Sequence, residues 1–389
     1  MKIDHQLVID FSGLLCKRGL NKQSNQMVDT LFINGRFLTQ DITGVQRYAL
    51  EMLSVLDQLL DAQLERRVKF VCLTPDVDLK IKPIWKNINI QKTGPFSGNL
   101  WEQITLPFKS RGGFLFSPCN VGPFFKRKQI ITIHDASVFA FKEAYTLPFR
   151  LKYQLNFLIL GKIVPQIITV SEFSKAELVR YCHLDPKKIK VIYNGCDHQV
   201  IGNGKCVIDL TELPSPYILA VGSLSKHKNL GVVIQGVEML DPGIHILVAG
   251  NTYSKVFSET PVKKNPRIHF LGYVHERDLI FLYQNALAFV FPSRYEGFGI
   301  PALEAMHNRC PVIASDQASL PEICGNAALY FNPNSAAEMA AQVNRLNSDL
   351  DLRAAMIQRG EVRAAQFTWS QCARETWEIL NQVVRIQPR

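Results

Sequence analysis

Residues 291–311 read FPSRYEGFGIPALEAMHNRCP. An apolar run, Ala288–Phe291, ends at Pro292 and reads as a buried strand. A loop then carries Glu296-Gly297-Phe298-Gly299, and a helix opens near Pro301, a residue suited to a first helical turn. Glu304 falls within that turn. Two glycines allow close backbone approach. The helix start offers unpaired N–H groups and the positive end of a dipole, a natural seat for phosphate. Two acids, one on the loop and one eight residues later, can each accept hydroxyl hydrogen bonds from a sugar. Ligands of open parallel sheets bind at such carboxyl ends of strands, so the stretch marks a fold and a site together.

The same rhythm extends outward on both sides. After residue 216, strands are expected at Tyr217–Val221, His245–Ala249, Ile268–Phe270 and Val312–Ala314. Helices are expected around 228–239, 276–285, 301–308 and 335–347. Before residue 200, strands are expected at Leu31–Ile33, Val68–Leu73, Phe114–Phe116, Gln129–Ile133, Ile167–Val170 and Lys190–Ile192. Helices are read at 45–60 and Leu147–Lys162, with another capped by Ser171 or, as a competing start, Ser174. Strands alternating with helices over most of the chain indicate parallel sheets covered on both faces. The α/β chain divides into an extension at 1–28, a first domain at 29–200, a linker at 201–215 rich in glycine and proline, a second domain at 216–368 and a closing helix over 369–389. That helix is expected to pack back on the first domain.

At 389 residues, two domains are the prior expectation. The composition, 47% hydrophobic and 20% charged with mean hydropathy near zero, fits neither a disordered nor a membrane-spanning chain. Leu155–Val164, the most apolar run, is interrupted by Gly161 and Lys162. Asp4, His5 and Asp10 stand where a signal peptide needs an apolar stretch, so a cytoplasmic protein is expected. Nine cysteines with no C-x-x-C pair read as free thiols in a reducing compartment. The nine histidines show no metal-ligand spacing. Asp76-Val77-Asp78 is an acid-x-acid triplet in a polar turn and is set aside as a metal site. Gly112-Gly113 lacks the dinucleotide fingerprint. Residues 1–200 hold 27 Lys and Arg against 17 Asp and Glu, a net of +10, whereas residues 201–389 hold 17 of each. A basic first half beside a neutral second half points to an anionic partner, whether nucleic acid, an acidic membrane surface or a phosphorylated acceptor, with a solvated basic face as the alternative. No helix-turn-helix, RNA-recognition or zinc pattern points to nucleic acid.

Three further motifs accompany the first. Val221 to Leu230, VGSLSKHKNL, opens the second half with a glycine loop and Lys228. Ile130 to Asp135, IITIHD, puts His134 and Asp135 at the end of an apolar strand. Asp41 to Tyr48, DITGVQRY, is a glycine loop running into a helix. With Glu296 and Glu304 separated by seven residues, these stretches closely resemble the family 4 (group 1) retaining glycosyltransferases of GT-B fold, in which two Rossmann-like domains face a cleft. Trp101-Glu102-Gln103, Ser171-Glu172-Phe173-Ser174 and Asn194-Gly195-Cys196-Asp197 match the same subgroup. The resemblance spans about residues 30–365.

The resemblance implies roles. Glu296 meets the hydroxyls of the transferred sugar, and Glu304 the nucleotide ribose. The Phe298 and Gly299 backbone lies at sugar and diphosphate, with Gly297, Ile300, Tyr273 and Val274 also on the donor. Lys228 meets the diphosphate, with Lys226 as a helper. His134 lies near the transferred sugar, supported by Asp135, and Gly44 approaches the donor phosphate. Arg47 reads as a helix-face residue. Relatives often carry arginines where this chain has Ser223 and His227, which weakens that cation set. No metal and no cofactor is implied; the substrate is a nucleotide sugar. The pieces TGVQRYA, HD and WEQ look most like members that use GDP-mannose in O-antigen or capsule synthesis. A UDP- or dTDP-sugar donor stays open, as does a catalytically dead relative that only binds a partner. Epimerases and hydrolases on the same plan lack the EGFG, seven-residue, acid pattern. The expected partners are the donor, a glycan or lipid-linked acceptor and, through the basic half and the Leu147–Lys162 helix, an anionic inner membrane.

Overall fold

The computed structural model describes residues 29–60, 68–197, 213–222, 225–250 and 265–385. The extension at 1–28, most of the 201–215 linker and Ser223 lie outside the described residues. Seven strands build the first sheet: β1 (Asp29–Asn34), β2 (Val68–Pro75), β3 (Ile88–Thr93), β4 (Phe114–Ser117), β5 (Gln129–Thr132), β6 (Gln166–Thr169) and β7 (Ile189–Val191). All pair in parallel, in the order β3-β2-β1-β4-β5-β6-β7. The register sets Leu31 between Phe70 and Phe114 at the sheet centre. Both β4 and β5 are buried at every residue, as strands covered on both faces must be. Strand β3, absent from the sequence reading, is an edge strand that fully buries only Ile88 and Thr93, so it shows no apolar run.

Four helices of more than two turns accompany this sheet, besides a single turn at Ser137–Ala140: α1 (Gly44–Leu60), α2 (residues 98–109), α3 (Leu147–Ile163) and α4 (Glu172–Cys182). At the start of α1, the Gln46 amide oxygen accepts from the Thr43 N–H at 3.2 Å, half of a capping box. Helix α2 changes to π-helical winding over Trp101–Thr105. Helix α4 is capped by Ser171, whose hydroxyl accepts from Ser174 N at 2.9 Å, so the competing start is not used.

The second sheet repeats the plan with β8 (Tyr217–Val221), β9 (His245–Ala249), β10 (Ile268–Gly272), β11 (Ala288–Phe291), β12 (Val312–Ser315) and β13 (Ala328–Phe331), again all parallel. Their order is β10-β9-β8-β11-β12-β13. Its helices are α5 (Leu230–Gln235), α6 (Glu276–Asn285), α7 (Ile300–His307), α8 (Leu320–Cys324), α9 (Ala336–Ser348) and α10 (Leu350–Ala364). The single helix expected over 228–239 is broken instead. Asn229 adopts a left-handed φ of 55° between a 3-10 turn, Lys226–Lys228, and α5. Its side-chain amide donates to the carbonyls of Pro292 and Pro333, which fixes the break.

The chain then returns to where it started. Helix α11 (Trp369–Arg385) packs on α1, and Trp369, Cys372, Ala373 and Leu380 join the core under the first sheet. Two strands of connecting chain pass side by side at this point. Cys196 N donates to Phe367 O at 3.0 Å, and Trp369 N donates to the Asp197 carboxylate at 2.7 Å. A β-carbon on Gly195 would lie 2.2 Å from Trp369 N, so the crossing closes only on glycine. Among the described residues no helix is long and apolar enough to cross a membrane.

Trp369 is one of the largest fully buried side chains in the protein. Trp369→Ala should therefore cost about 3–5 kcal/mol. Urea unfolding followed by circular dichroism measures this; a loss under 1 kcal/mol would show that α11 is dispensable to the first domain.

Candidate active site

In each sheet the strand order reverses direction once, between β1 and β4 and between β8 and β11. Loops leaving the two central strands there splay to opposite faces and open a crevice. In the second sheet the crevice holds Lys228, from the turn after β8, and Glu296, from the loop after β11. Lys228 Nζ and Glu296 Oε1 lie 2.7 Å apart, with the Glu296 side chain only 12% exposed. The Ser319 hydroxyl holds the Glu296 loop, donating to the carbonyls of Glu296 and Phe298 at 2.9 and 2.8 Å. Gly299 turns the chain into α7 with a left-handed φ of 113°. Phe298 packs its ring against Tyr193 and Phe367, leaving its backbone as the part that can meet a ligand.

The first sheet presents His134 just past β5. Its Nε2 lies 2.9 Å from the Pro118 carbonyl. A carbonyl only accepts, so Nε2 carries the proton and Nδ1 the lone pair. Burial pushes the His134 pKa down, against the opposing pull of the Pro118 carbonyl and Asp135, so the ring stays neutral. Tyr48 meets it edge-on with centroids 4.6 Å apart. One carboxylate oxygen of Asp135 accepts from Ser137 N at 2.8 Å, which fixes its direction.

The two halves meet at Gly297. A β-carbon there would lie 2.7 Å from the His134 carbonyl and 3.0 Å from Asp135 Cβ. The Gly297 carbonyl accepts from the hydroxyls of Ser171 and Ser174 at 2.6 and 3.0 Å. Alongside, the Glu322 carboxylate of the second domain accepts from Glu172 N and Phe173 N at 2.8 and 2.9 Å, capping α4 across the cleft. His134, Asp135, Lys228, Glu296 and Gly297 are thus drawn into one locus.

Two cavities flank it. One, of ≈ 570 Å³, lies between the domains; Tyr273, Val274, Glu276 and Glu304 face Ile42 and Arg47 across it. Arg47 pairs with Glu276 over this span. The other, of ≈ 340 Å³, sits at the switch point of the first sheet, with Asn34, Arg36, Glu102, Asp135, Phe149 and Tyr153 in its walls. The loop of Gly44 separates them: Ile42 lines the first cavity, Thr43 and Val45 the second. Ile300 packs against the core of the second domain. Asp76 and Asp78 sit exposed just beyond β2. Among the described residues no group of three or more His, Cys, Asp or Glu is placed to hold a metal.

Two residues gain a place that the sequence did not give them. Arg47 is a cavity wall and an interdomain ion pair, where the sequence offered a helix face. Glu102 is buried and accepts from Asn34 Nδ2 at 2.9 Å and from Arg36 at 2.7 Å. The π-helical turn that carries it has no sequence signature, though such turns gather at functional sites.

Because His134 is neutral when folded, unfolding lets it take up a proton near its ordinary pKa of about 6.5. Its contribution is complete above that pH and drains away as pH falls toward the depressed folded value. His227 is lowered too, by burial and Lys228, and acts in the same direction. Melting temperature should drop from pH 7 to pH 5, and His134→Gln should make the drop shallower; parallel curves would count against this. Gly297→Ala, which forces a β-carbon onto backbone, should cut kcat/KM at least about tenfold with the fold retained by circular dichroism.

Residues 210–363 match the family described as Glycosyl transferases group 1, and residues 114–200 match Glycosyltransferase Family 4. The chain is 31% identical over 263 residues to O-antigen chain mannosyltransferase B of Escherichia coli, an alignment covering 64% of this chain and 69% of the relative. It is 33% identical over 212 residues to O-antigen chain mannosyltransferase RfbU of Salmonella typhimurium, covering 54% and 58%. The fold is shared with sucrose-phosphate synthase from Thermosynechococcus elongatus at a TM-score of 0.71 and 19% identity, over 93% of this chain and all of that one.

Proposed function

The chain belongs to the group 1, family 4 glycosyltransferases of GT-B fold, and from that membership we propose that it moves mannose from GDP-mannose, with retention, onto a lipid-linked or surface polysaccharide acceptor. The observation that carries this reading is the junction of Lys228 and Glu296 with Gly297 seated on His134–Asp135. O-antigen, capsule and exopolysaccharide are the acceptor classes in view. The two relatives described above are named as O-antigen mannosyltransferases, which supports the sugar and the glycan.

In this reading the ≈ 570 Å³ cavity takes the nucleoside, with Glu304 on the ribose and Tyr273–Val274 toward the base. The diphosphate lies between Lys228, the loop of Gly44 and the start of α7, where a cation and free N–H groups stabilise the charge that builds as it leaves. Glu296 and the neutral His134 hold the sugar. The bond from the anomeric carbon to the phosphate oxygen breaks, and its electron pair leaves with the diphosphate. The acceptor hydroxyl forms the new bond on the same face and gives its proton to that departing oxygen. Closure against the second cavity aligns the acceptor and keeps water out. This route needs no metal. The basic first half supports a peripheral position at the inner face of the cytoplasmic membrane in this reading.

A thermal-shift panel with GDP, UDP, dTDP, ADP and their sugar forms tests the donor. GDP-mannose at 100 times its dissociation constant should stabilise by about 2.7 kcal/mol, and Glu304→Ala should lose the shift. A shift with UDP or dTDP alone would replace the donor; no shift with any would favour a binding-only relative. NMR of the product should show the anomer retained, and activity should survive EDTA.

A further inference from the structure

His134 is held at both polar atoms of its backbone and at one of its two ring nitrogens. Strands β4 and β5 stop at Ser117 and Thr132, yet their hydrogen bonding goes on. Asn120 N donates to Thr132 O at 2.9 Å, and the Asn120 side-chain oxygen accepts from His134 N at 2.8 Å. On the side of β6, Ile133 N donates to Ile168 O at 2.9 Å, and the Thr169 hydroxyl to Ile133 O at 2.7 Å. The Ser174 hydroxyl, shared with Gly297, reaches the His134 carbonyl at 3.0 Å. A buried N–H needs a partner, and for His134 that partner is a side chain of the loop after β4.

The same loop fixes the ring. Pro118, two residues before Asn120, supplies the carbonyl that takes the Nε2 proton. Asn120 adopts a left-handed φ of 63°, a conformation that asparagine and glycine tolerate better than other residues. Tyr48, fully buried, closes one flank of the ring edge-on, and Trp369 backs Tyr48 with centroids 6.2 Å apart. Beyond Asn120 one side chain anchors the loop. Gln103 Nε2 donates to Gly122 O at 3.0 Å, and Gln103 Oε1 accepts from Phe124 N at 3.0 Å. A β-carbon on Gly122 would lie 2.7 Å from Gln129 Oε1, so the loop also packs closely on β5. Gln103, on the π-helical turn of α2, thus steadies a loop that in turn steadies the histidine.

With Nε2–H committed to Pro118, Nδ1 is the remaining polar atom of the ring, and a neutral imidazole nitrogen without its proton only accepts. An ionised phosphate oxygen also only accepts, so the two make no hydrogen bond. A sugar hydroxyl donates and fits.

We propose that Asn120 is a positioning residue: anchored through Gln103, it clamps the 118–121 loop to the end of β5 and so presents His134 as an acceptor, at Nδ1, for a hydroxyl of the donor sugar. The proposal rests on the reading that His134 meets that sugar. It adds the residues that select the nitrogen and the kind of group that nitrogen binds.

Long-range proton–nitrogen NMR of isotope-labelled histidines reads the tautomer without any ligand, and His134→Gln locates the signal. In wild type at about pH 8, His134 should carry its proton on Nε2. Asn120→Gly keeps the left-handed turn and removes the acceptor, so both tautomers should be populated. Asn120→Asp restores an acceptor and should restore Nε2–H. Thermal shifts with GDP-mannose and GDP give the matching binding test. Asn120→Gly should lower affinity for GDP-mannose relative to GDP about tenfold, with GDP itself unchanged, and Asn120→Asp should recover most of the loss. Gln103→Ala should move both readouts the same way by less. The proposal fails if wild-type His134 carries its proton on Nδ1, if Asn120→Gly leaves tautomer and ratio as in wild type, or if affinities for GDP and GDP-mannose fall together. A wild type that answers only to UDP- or dTDP-sugars strikes the mannose reading instead, and the ratio is then read with that sugar nucleotide and its diphosphate.

Discussion

The cleft depends on one backbone contact that no side chain could make. Gly297 lies so close to the His134 carbonyl and Asp135 that a single methyl group there would force the backbone to shift. Its carbonyl is held by two serine hydroxyls from the start of α4, and the same helix end receives the Glu322 carboxylate. A negative group at a helix N-terminus is favourable in itself, so the junction is stabilised from both sides. The Glu296 loop is thereby set against the end of β5, and the distance between Glu296 and His134 becomes a property of the backbone.

The pairing of Lys228 with Glu296 follows from that placement. Each neutralises the other in a partly buried crevice, where an isolated charge would be costly. Both partners have other work in the proposed reaction, the lysine toward phosphate and the acid toward sugar hydroxyls. A ligand that offers both groups can satisfy each of them at once, so the site is charged and oriented in advance.

Legibility in the sequence tracked burial. Strands covered on both faces, such as β4, β5 and β11, are continuous apolar runs and were readable. Of the edge strands, β3 and β13 bury only their end residues fully and were not readable, whereas β7 and β10 were, from short apolar runs. Helix α10 was missed because its buried residues, Met356, Gly360 and Ala364, form a thin stripe among charged neighbours. The Glu296–Glu304 stretch was legible because glycines and acids sit at fixed offsets on one strand–loop–helix unit. Arg47 and Glu102 were not, because each acquires its place through a partner far along the chain. Helix α3 looked merely mixed, since opposed apolar faces cancel the periodicity that a one-sided helix displays.

The return of α11 to the first domain has a consequence for how the protein is made. The core under the first sheet contains Trp369, Cys372 and Leu380, which leave the ribosome only after the whole second sheet has been synthesised. During translation the first domain must wait, its α1 surface uncovered, while the second can already close on itself. The two domains are interleaved in time, and a segment translated after the whole second sheet is the one that seals the first.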